Sequence, residues 1–445
     1  MFQRSSTLLI LLLCCVFIGL SPHGATGTIR NPIQVPAQGG ASSPALTVSD
    51  PSGVEISPGQ VNARSALLLE VSTGTIIFEQ NADEPIEPAS FTKVMTLYLI
   101  NEALQQGVVH LDDEVYISEK AWRTGGSKMF VGVGTTIPLR ELIKGIAVVS
   151  GNDACVAAGE HLAGSLDAFV DAMNRKSQEL GMAQTRFLNP HGLPAPGQIT
   201  TARDMARLDV QYLRRFPDSL RFHSMKEYSY NDITQYNRNR LLLRDPSVDG
   251  LKTGYVSAAG YHLAATAKRD GMRLLAVVMG ASSPAARERE AMKLLNFGFR
   301  FYTLVNPFPE GEPVTTLRVW GGQKDEVDLH FSETADFLIA QANRNLLHWE
   351  VHAPEDVTAP VAAGTQLGEV VFYVSDTPQK TVPLVTREEL LQAGWFKRGW
   401  QAIVRVAQVD WKTFAMATGG LVILGVLILA IARRKSARRT RTFVR

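Results

Sequence analysis

Three short sequences contain the residue types that a serine nucleophile and a lysine base require. In chain order, they are Ser90-Phe91-Thr92-Lys93, Ser150-Gly151-Asn152 and Lys252-Thr253-Gly254. A serine hydroxyl is a weak nucleophile and needs a base within hydrogen-bond reach. Ser90 and Lys93 are three residues apart, so on a helix their side chains lie on one face. We therefore predict that Ser90 attacks the substrate and that Lys93 accepts its proton.

Lys93 can act as a base only if its pKa is lowered, because lysine normally carries its proton at neutral pH. Burial beside an apolar helix and a second cation, Lys252, both disfavour the charged form. Pro88 suits the first turn of a helix. The backbone N–H of Ser90 would then lie at the positive end of that helix, where it can stabilise a tetrahedral oxyanion.

The other two motifs supply groups that bind and protonate a substrate. Ser150 offers a second hydroxyl for proton relay, and the Asn152 amide can hold a substrate backbone. On a strand edge, Lys252 offers a cation, Thr253 a hydroxyl for a carboxylate, and Gly254 a backbone that a substrate can approach closely. An extended peptide can also pair with such an edge. Together the motifs predict a serine enzyme that binds an extended peptide.

The three motifs differ in how unambiguous they are. The sequence Ser90–Lys93 is the only Ser-x-x-Lys in the chain, and Lys252 begins the only Lys-Thr-Gly. By contrast, Ser229-Tyr230-Asn231 is a second Ser-x-Asn. That copy falls in a strand pattern shortly before Lys252, so we assign the predicted roles to Ser150 and Asn152.

No metal and no cofactor are predicted. His348 and His352 have the i, i+4 spacing of zinc ligands on a helix, but they fall in a strand-like segment with Glu350 between them. Cys155 follows the predicted start of a helix, and we interpret it as a small packed residue.

Between the chain ends, the patterns predict a linker and two folded regions. Residues 28–60 are rich in Pro, Gly, Ser and Thr and are typical of a linker. Residues 61–303 have strand patterns near both ends and helices between them, which predicts one α+β catalytic domain whose sheet is closed by distant segments. They include a predicted helix over Ser90–Leu104 and a predicted strand over Tyr228–Ile233. Residues 304–386 hold short, evenly spaced strands and are predicted to be a small all-β sandwich.

The composition indicates more than one domain and excludes a nucleic-acid-binding protein. A chain of 445 residues is too long for one ordinary core. Its formal charge of +2 averages two regions, because residues 433–445 hold seven Lys or Arg and no acid. The rest of the chain is mildly acidic, so it lacks the basic surface that nucleic acid requires.

The N-terminal end carries an export pattern. Residues 1–27 are predicted to be a signal peptide, with Arg4, the apolar run Thr7–Leu20 and small residues at Ala25-Thr26-Gly27. An uncleaved N-terminal anchor is the alternative. Cleavage would leave Cys155 as the only cysteine, so the exported core must hold without internal disulfides.

The C-terminal end is predicted to anchor the protein in a membrane. Residues 387–412 are predicted to be an interfacial amphipathic segment, because aromatic and basic residues alternate there. Residues 413–432 are predicted to be a transmembrane helix, since Phe414–Ala432 is nineteen residues without a charge. That run is roughly 28 Å long, enough for a hydrocarbon core of about 30 Å. The tail 433–445 should then be cytoplasmic. The alternative is a buried C-terminal helix of a soluble domain.

The motifs and their surroundings resemble a known family. The matching segments are Pro88-Ala89-Ser90-Phe91-Thr92-Lys93, Ser150-Gly151-Asn152-Asp153-Ala154, Asn189-Pro190-His191-Gly192-Leu193, Asn237-Arg238-Asn239, Asp249-Gly250-Leu251-Lys252-Thr253-Gly254 and Lys293–Arg300. Over about residues 60–385 the chain resembles the D-alanyl-D-alanine carboxypeptidases among the low-molecular-mass penicillin-binding proteins, serine peptidases with a Ser-x-x-Lys motif. The resemblance implies the α+β transpeptidase fold of serine β-lactamases and DD-peptidases, followed by a β-rich C-terminal domain.

The resemblance also implies partners and further site residues. The substrate would be a peptidoglycan stem peptide, and β-lactam antibiotics would acylate Ser90 as substrate mimics. In the family, the oxyanion hole consists of the N–H groups of the nucleophile and of the residue after Lys-Thr-Gly, here Ser90 and Tyr255. An arginine helps to hold the terminal carboxylate, and Arg287 matches its position. Two features depart from the family: Tyr255 stands where most members have histidine, and a full predicted span replaces the amphipathic helix of many relatives.

We therefore expect a serine-type D-Ala-D-Ala carboxypeptidase, anchored on the outer, periplasmic face of a bacterial cell membrane, that acts through an acyl-enzyme on Ser90. Three alternatives stay open: a DD-endopeptidase, a β-lactamase and a non-enzymatic penicillin sensor. A β-lactamase would need a dedicated glutamate for fast deacylation, and the residues after the predicted span are few for a signalling domain. The base for deacylation is either Lys93 or the Ser150–Lys252 pair.

Overall fold

The computed structural model describes residues 48–49, 55–308, 311–333, 335–409 and 411–440. The predicted signal peptide over 1–27 lies outside these residues and stays a prediction. Within the described part of the predicted linker, Val48–Ser49 pairs antiparallel with Glu55–Ile56.

A five-stranded antiparallel sheet forms the centre of the catalytic region. Its strands, in spatial order, are Ile76–Gln80, Ser65–Glu70, Met272–Ala281, Gly260–Arg269 and Val248–Val256. The strand Ser65–Glu70 is buried throughout, as expected for a short apolar run that is covered on both faces. It pairs with the much later strand Met272–Ala281. The predicted closure of one sheet by distant segments is therefore confirmed.

Helices cover both faces of this sheet. They are Thr92–Gln105, Glu119–Arg123, Leu139–Ala147, Asn152–Ala163, Leu166–Glu179, Ala202–Arg215, Leu220–His223, Leu241–Arg244 and Pro284–Phe301. Successive residues of a strand point to opposite faces. Leu67 and Leu69 accordingly belong to the larger core, which includes residues of the helix Thr92–Gln105, whereas Ala66 and Leu68 belong to a second core with residues of Pro284–Phe301. A short strand pair, Glu114–Tyr116 with Thr136–Pro138, lies among the helices.

Two local elements differ from the sequence prediction. The predicted helix Ser90–Leu104 begins as a 3-10 turn, Ala89–Phe91, and becomes α-helical only at Thr92. Such turns are frequent at helix N-termini. The predicted strand Tyr228–Ile233 is instead a hairpin of Glu227–Tyr230 and Ile233–Tyr236, because Asn231 and Asp232 both have positive φ, 49° and 58°, as a tight two-residue turn requires.

The C-terminal region is built from strands, so the predicted α+β fold with a C-terminal β-rich domain is confirmed. Its six-stranded sheet has the order Leu347–His352, Gln366–Val374, Thr377–Thr386, Glu326–Phe331, Thr315–Trp320 and Asp356–Thr358. Tyr302–Val305 pairs with Phe337–Ala340, and a 3-10 turn, Gln341–Leu346, follows. Phe337 and Phe372, one from each sheet, stack in a shared core.

Two helices, Trp395–Val409 and Trp411–Thr440, end the described chain. The predicted amphipathic segment 387–412 becomes helical only at Trp395, because Leu390 pairs with Val361 and is buried in the C-terminal core. The predicted transmembrane segment 413–432 finds no support, since among the described residues no helix has the length and apolar character needed to cross a membrane.

Candidate active site

The predicted nucleophile and its predicted base meet at the start of the helix Thr92–Gln105. Ser90 lies in the 3-10 turn and Lys93 in the first helical turn. The distance from Lys93 Nζ to Ser90 Oγ is 2.9 Å. Lys93 is fully buried, whereas Ser90 is only partly buried and lines a cleft. The hydroxyl can therefore reach a substrate while its neighbouring amine is shielded from water.

The surroundings of Lys93 make its amine a better base. Burial is the main cause that lowers the pKa of Lys93 to about 8. Lys93 Nζ also donates to the carbonyl oxygen of His191 at 2.5 Å, which fixes the amine beside Ser90. Cys155 is fully buried, and burial raises its pKa to about 12. Its sulfur therefore stays protonated at neutral pH.

A second hydroxyl–amine pair lies in the same cleft. Lys252 Nζ donates to Ser150 Oγ at 3.0 Å and to the carbonyl oxygen of Thr253 at 3.0 Å. Both Lys252 and Ser150 are buried. Burial first, and then the positive charge of Lys93, hold the pKa of Lys252 well below its usual value. The fold thus joins two motifs that are far apart in the sequence.

Asn152 and Asp153 hold the loop that borders the cleft. Asn152 Nδ2 donates to the carbonyl oxygen of Gly125 at 2.7 Å. The buried carboxylate of Asp153 accepts the backbone N–H groups of Met129 and Phe130, each at 2.9 Å. Because these bonds join the start of one helix to a distant loop, Asp153 acts as a support for the cleft, a role that sequence analysis did not assign.

The Lys-Thr-Gly motif lies on the strand Val248–Val256, which is an edge strand of the central sheet, as predicted. A Cβ atom on Gly254 would lie 3.2 Å from the Cβ of Ala89. The strand therefore passes close to the nucleophile turn, the 3-10 turn Ala89–Phe91 that carries Ser90. Tyr255 is 53 % exposed, and its ring stacks on Tyr261 with 4.3 Å between the ring centroids. The free edge and the open cleft leave space for an extended peptide.

Arg287 is a buried cation behind this strand. Its guanidinium donates to the carbonyl oxygens of Gly254, His262 and Arg238 at 3.2, 3.3 and 3.3 Å. Burial lowers the pKa of Arg287 to about 10, so it stays charged at neutral pH. Among the described residues, no carboxylate forms an ion pair with Arg287, and its Nε has no hydrogen-bond partner. The positive charge is therefore available to an anionic substrate.

The cleft has a volume of about 370 Å³, and both lysines lie just beneath its lining. The other predicted site residues line it directly: Ser90, Ser150, Asn152, Thr253, Gly254, Tyr255 and Arg287. Sequence analysis missed Arg238, which also lines the cleft and donates to Ser127 Oγ at 2.7 Å. The segment Asn237-Arg238-Asn239 was part of the family resemblance, and this was the available signal.

Backbone strain is concentrated around the two hydroxyls. Ala89 has a φ of 47° and Ser150 a φ of 64°, and both are non-glycine residues in the left-handed region. Such strain persists only where the surrounding structure enforces it, and it clusters at functional sites. Gly192 shows how tightly the nucleophile turn is held: its φ is 85°, and a Cβ there would lie 1.7 Å from the carbonyl oxygen of Ala89.

The candidates that sequence analysis set aside lie elsewhere. Ser229, from the second Ser-x-Asn, is exposed and its hydroxyl bonds to that of Thr234 at 2.7 Å. His352 Nε2 is 3.1 Å from a carboxylate oxygen of Glu350, and His348 stacks on Tyr373. Within the described part of the chain, no group of three or more His, Cys, Asp or Glu is arranged to hold a metal ion.

An active-site serine beside a buried lysine, in a cleft at the edge of an antiparallel sheet, defines a serine peptidase of the penicillin-binding class. The family model for D-alanyl-D-alanine carboxypeptidase matches residues 52–283, and the model for the C-terminal domain of penicillin-binding protein 5 matches residues 302–391. The chain belongs to the D-alanyl-D-alanine carboxypeptidase family. It is a serine-type carboxypeptidase, a hydrolase, and a penicillin-binding protein.

Curated and solved relatives agree with this assignment. The chain is 38 % identical over 352 residues to D-alanyl-D-alanine carboxypeptidase DacC from Escherichia coli, a match that covers 77 % of this chain and 88 % of that protein. The structure of penicillin-binding protein 5 from Haemophilus influenzae is similar with a TM-score of 0.70 and 35 % identity, covering 76 % of this chain and 100 % of the other. Penicillin-binding protein D2 from Listeria monocytogenes, in its ampicillin-bound form, is similar with a TM-score of 0.50 and 28 % identity, covering 54 % and 98 %.

Proposed function

We propose that the protein removes the terminal D-alanine from peptidoglycan stem pentapeptides through an acyl-enzyme on Ser90. The observation that carries this proposal is the 2.9 Å contact between Ser90 Oγ and the buried Nζ of Lys93. A pKa of about 8 leaves roughly a tenth of the Lys93 amine neutral at pH 7, which provides a base in the ground state.

Acylation follows from this geometry. Neutral Lys93 accepts the proton of Ser90 Oγ, and the oxygen forms a bond to the carbonyl carbon of the penultimate D-alanine. The developing oxyanion is stabilised by the backbone N–H groups of Ser90 and Tyr255, the positions that the family uses. The C–N bond then breaks, and the leaving D-alanine takes a proton that the Ser150–Lys252 pair is placed to deliver.

Deacylation requires a base that takes a proton from water. The Lys93 amine and the Ser150–Lys252 pair both lie at the cleft, and the pKa of each lysine is lowered. Water then attacks the ester carbon, the bond to Ser90 Oγ breaks, and the shortened peptide leaves with a free carboxylate. The two candidate bases are separated by measuring acylation and deacylation rates individually in Lys93→Arg and Ser150→Ala.

A free carboxylate on the substrate is favoured by the charges of the cleft. Arg287, Lys252 and Arg238 are cations at or beneath its lining. The hydroxyl of Thr253, on the edge strand, can donate to a carboxylate oxygen. Because hydrogen bonds to charged groups contribute about 1.5–3 kcal/mol, the site should prefer peptides that end in a carboxylate over their amides.

The proposal is tested by incubating the protein with a pentapeptide that ends in D-Ala-D-Ala and measuring free D-alanine. We expect release by the wild type and a loss on the order of 10⁴-fold or more for Ser90→Ala. Ser229→Ala is the matched control, since it removes an exposed serine hydroxyl outside the cleft. Absence of release by wild type would contradict the substrate, and release by Ser90→Ala would contradict the nucleophile.

The alternatives are distinguished by product and by turnover. A DD-endopeptidase would cleave a crosslinked peptide dimer at least as fast as the pentapeptide. A β-lactamase would turn over penicillin at least as fast as the pentapeptide, and a penicillin sensor would trap penicillin but release no D-alanine.

We also propose that the protein is exported and held on the outer face of a bacterial membrane by its C-terminal segment. The support is the uncharged run Phe414–Ala432, the basic residues 433–445 after it, and the apolar export pattern in 1–27. Along the helix Trp411–Thr440, side chains such as Val422 and Leu429 are each 65 % exposed. Flotation of the full chain with lipid vesicles tests this location, and recovery of the chain only in the vesicle-free fraction would contradict it.

A further inference from the structure

A second concave site lies between the C-terminal sheet and the helix Trp395–Val409, apart from the catalytic cleft. We name it the Arg–Trp pocket, and its volume is about 520 Å³. The sheet contributes Trp320 and Thr358, and the helix contributes Trp395, Arg398 and Arg405. Two guanidinium groups line the pocket. Arg405 is paired with Asp356 at its wall, whereas Arg398 forms no ion pair with a carboxylate among the described residues. Its chemistry therefore favours an anion.

Arg405 is fixed in place by the β-rich domain. Its guanidinium donates to Asp356 Oδ1 at 3.2 Å and to Thr358 Oγ1 at 3.4 Å. Its central carbon lies 5.5 Å from the ring centroid of Trp320, which is within cation–π range. A guanidinium held on several sides loses little freedom when a ligand binds, so it is pre-organised.

Two further donors in the pocket lack a strong partner. Arg398 is exposed, and its guanidinium reaches only Gln392 Oε1, at 3.5 Å. Trp320 is 8 % exposed, and its indole N–H has no acceptor among the described residues. A buried donor without a partner costs free energy, and each unexplained case calls for a ligand or water. An oxyanion would satisfy Arg398 and Trp320 together.

The position of the pocket on its helix fits a membrane surface. Trp395, Arg398 and Arg405 are spaced i, i+3 and i+10 and lie along the side of the helix that contacts the sheet. Phe396 and Trp400, on the other side, are 76 % and 65 % exposed. An interfacial helix buries its apolar face about 5–10 Å into the headgroup and acyl boundary, so its flank lies at the level of the lipid phosphates.

We propose that the Arg–Trp pocket binds the phosphate of an anionic phospholipid at the membrane surface. The Arg398 guanidinium, beside the pre-organised Arg405, matches the oxygens of a phosphate, and the exposed ring of Trp395 contacts the glycerol and upper acyl region. This inference rests on the proposed membrane location, and it adds a specific lipid site that orients the β-rich domain. No catalytic residue takes part.

Lipid retention by the full chain in non-ionic detergent micelles tests the proposal. Native mass spectrometry counts the lipids that remain bound as phosphatidylglycerol or phosphatidylcholine is titrated. We expect one saturable phosphatidylglycerol per chain, and Arg398→Gln should weaken it by about tenfold or more. Lys397→Gln is the matched control: the same charge is removed from the next residue, which pairs with Asp325 outside the pocket, and we expect less than about a twofold effect.

Three outcomes would overturn the proposal. The first is an equal loss of lipid retention in Arg398→Gln and Lys397→Gln, and the second is equal retention of phosphatidylcholine and phosphatidylglycerol. The third is complete displacement of the lipid by inorganic phosphate, which would indicate a site for free phosphate. D-Alanine release should be unchanged in both variants and reports correct folding. If the chain fails to float with vesicles of any composition, the membrane location fails. If it floats but the two variants retain lipid equally, only the pocket assignment fails.

Discussion

Cations surround both the catalytic cleft and the Arg–Trp pocket, but water reaches them very differently. In the cleft, Lys93 and Lys252 are buried, and burial lowers the pKa of each. In the pocket, Arg398 is exposed and the side chain of Arg405 is 47 % exposed. Desolvation makes an amine ready to exchange a proton, whereas an exposed guanidinium keeps its charge and can only attract. The same kind of charge therefore serves chemistry in one region and binding in the other.

Among the cations of the two regions, the largest expected effect concerns the amine beside the nucleophile. Lys93→Arg keeps a positive charge in the cleft but removes the base, because a guanidinium does not lose its proton near neutral pH. We expect acylation by pentapeptide or penicillin to slow by about 10²–10⁴-fold, the usual contribution of a general base. Stopped-flow or mass-spectrometric measurement of the acyl-enzyme checks this. An acylation rate within a few-fold of wild type would mean that a charge, and not a base, is what the cleft requires.

The next effect separates the two Ser-x-Asn sequences. Ser150→Ala removes the hydroxyl that accepts from Lys252 Nζ at 3.0 Å, so proton delivery to the leaving group should be impaired by about 10²-fold. Ser229→Ala should leave the rate of D-alanine release unchanged, because its hydroxyl bonds only to Thr234 among the described residues. Similar rates for both variants would contradict the assigned relay.

A smaller effect is expected at the carboxylate end of the cleft. Arg287→Gln should raise KM by about 10- to 100-fold, the loss expected for one or two charge-assisted hydrogen bonds. The control is a peptide that ends in D-alaninamide, which has no carboxylate, and on this substrate the variant and wild type should differ little. An equal loss on both substrates would indicate that Arg287 acts only as a support for the strand through Gly254.

The last prediction concerns stability, not activity, and a buried acid outside the cleft. Asp209 is completely buried, neither carboxylate oxygen has a partner among the described residues, and burial raises its pKa well above the usual value. The folded state therefore keeps the proton of Asp209, whereas the unfolded chain releases it above about pH 4. The free energy of unfolding falls as the pH rises from about 4 toward the pKa of Asp209 in the folded state. Within that range, the free energy of unfolding falls by about 1.4 kcal/mol for each pH unit.

Asp209→Asn should remove this pH-dependent loss. The melting temperature of wild type should fall relative to that of the variant between pH 4 and pH 8, with the two closest at the acidic end. Thermal unfolding followed by circular dichroism measures both. Parallel melting curves across that range would mean that Asp209 is solvated or paired in the folded protein.

Local features of the site were predictable from the sequence, and long-range ones were not. The Ser90–Lys93 contact depends only on residues three apart on a helix, so spacing was sufficient. The Lys252–Ser150 contact joins segments about a hundred residues apart. The chemistry of the motifs and the family resemblance suggested that they share one site, but their sequence spacing did not. The carbonyl oxygen of His191, which accepts a hydrogen bond from Lys93, is a backbone group. Every residue has such a group, so the residue type does not indicate this contact.

Secondary structure shows the same limit. The β-rich C-terminal region was predictable because short strand patterns recur there at even spacing, and some of them, such as Glu326–Phe331, alternate apolar and polar residues. Part of the hairpin at Glu227–Tyr236 was mistaken for one strand, because its turn residues Asn231 and Asp232 are flanked by residues that favour strands, Tyr230 and Ile233. The late start of the helix at Trp395 depends on Leu390 entering a distant core, which the local pattern does not contain.

The pH dependence of Ser90 acylation tests the central claim, that a desolvated Lys93 is the base. The second-order rate constant for acylation by a penicillin, measured from pH 6 to pH 10 by intact-protein mass spectrometry, follows the neutral fraction of that amine. We predict a rate that rises with pH, reaches its midpoint at about 8 and then levels, as the pKa of Lys93 requires. In Lys93→Arg this rise should be absent. A flat profile in the wild type, or the same rise in the variant, would contradict the account.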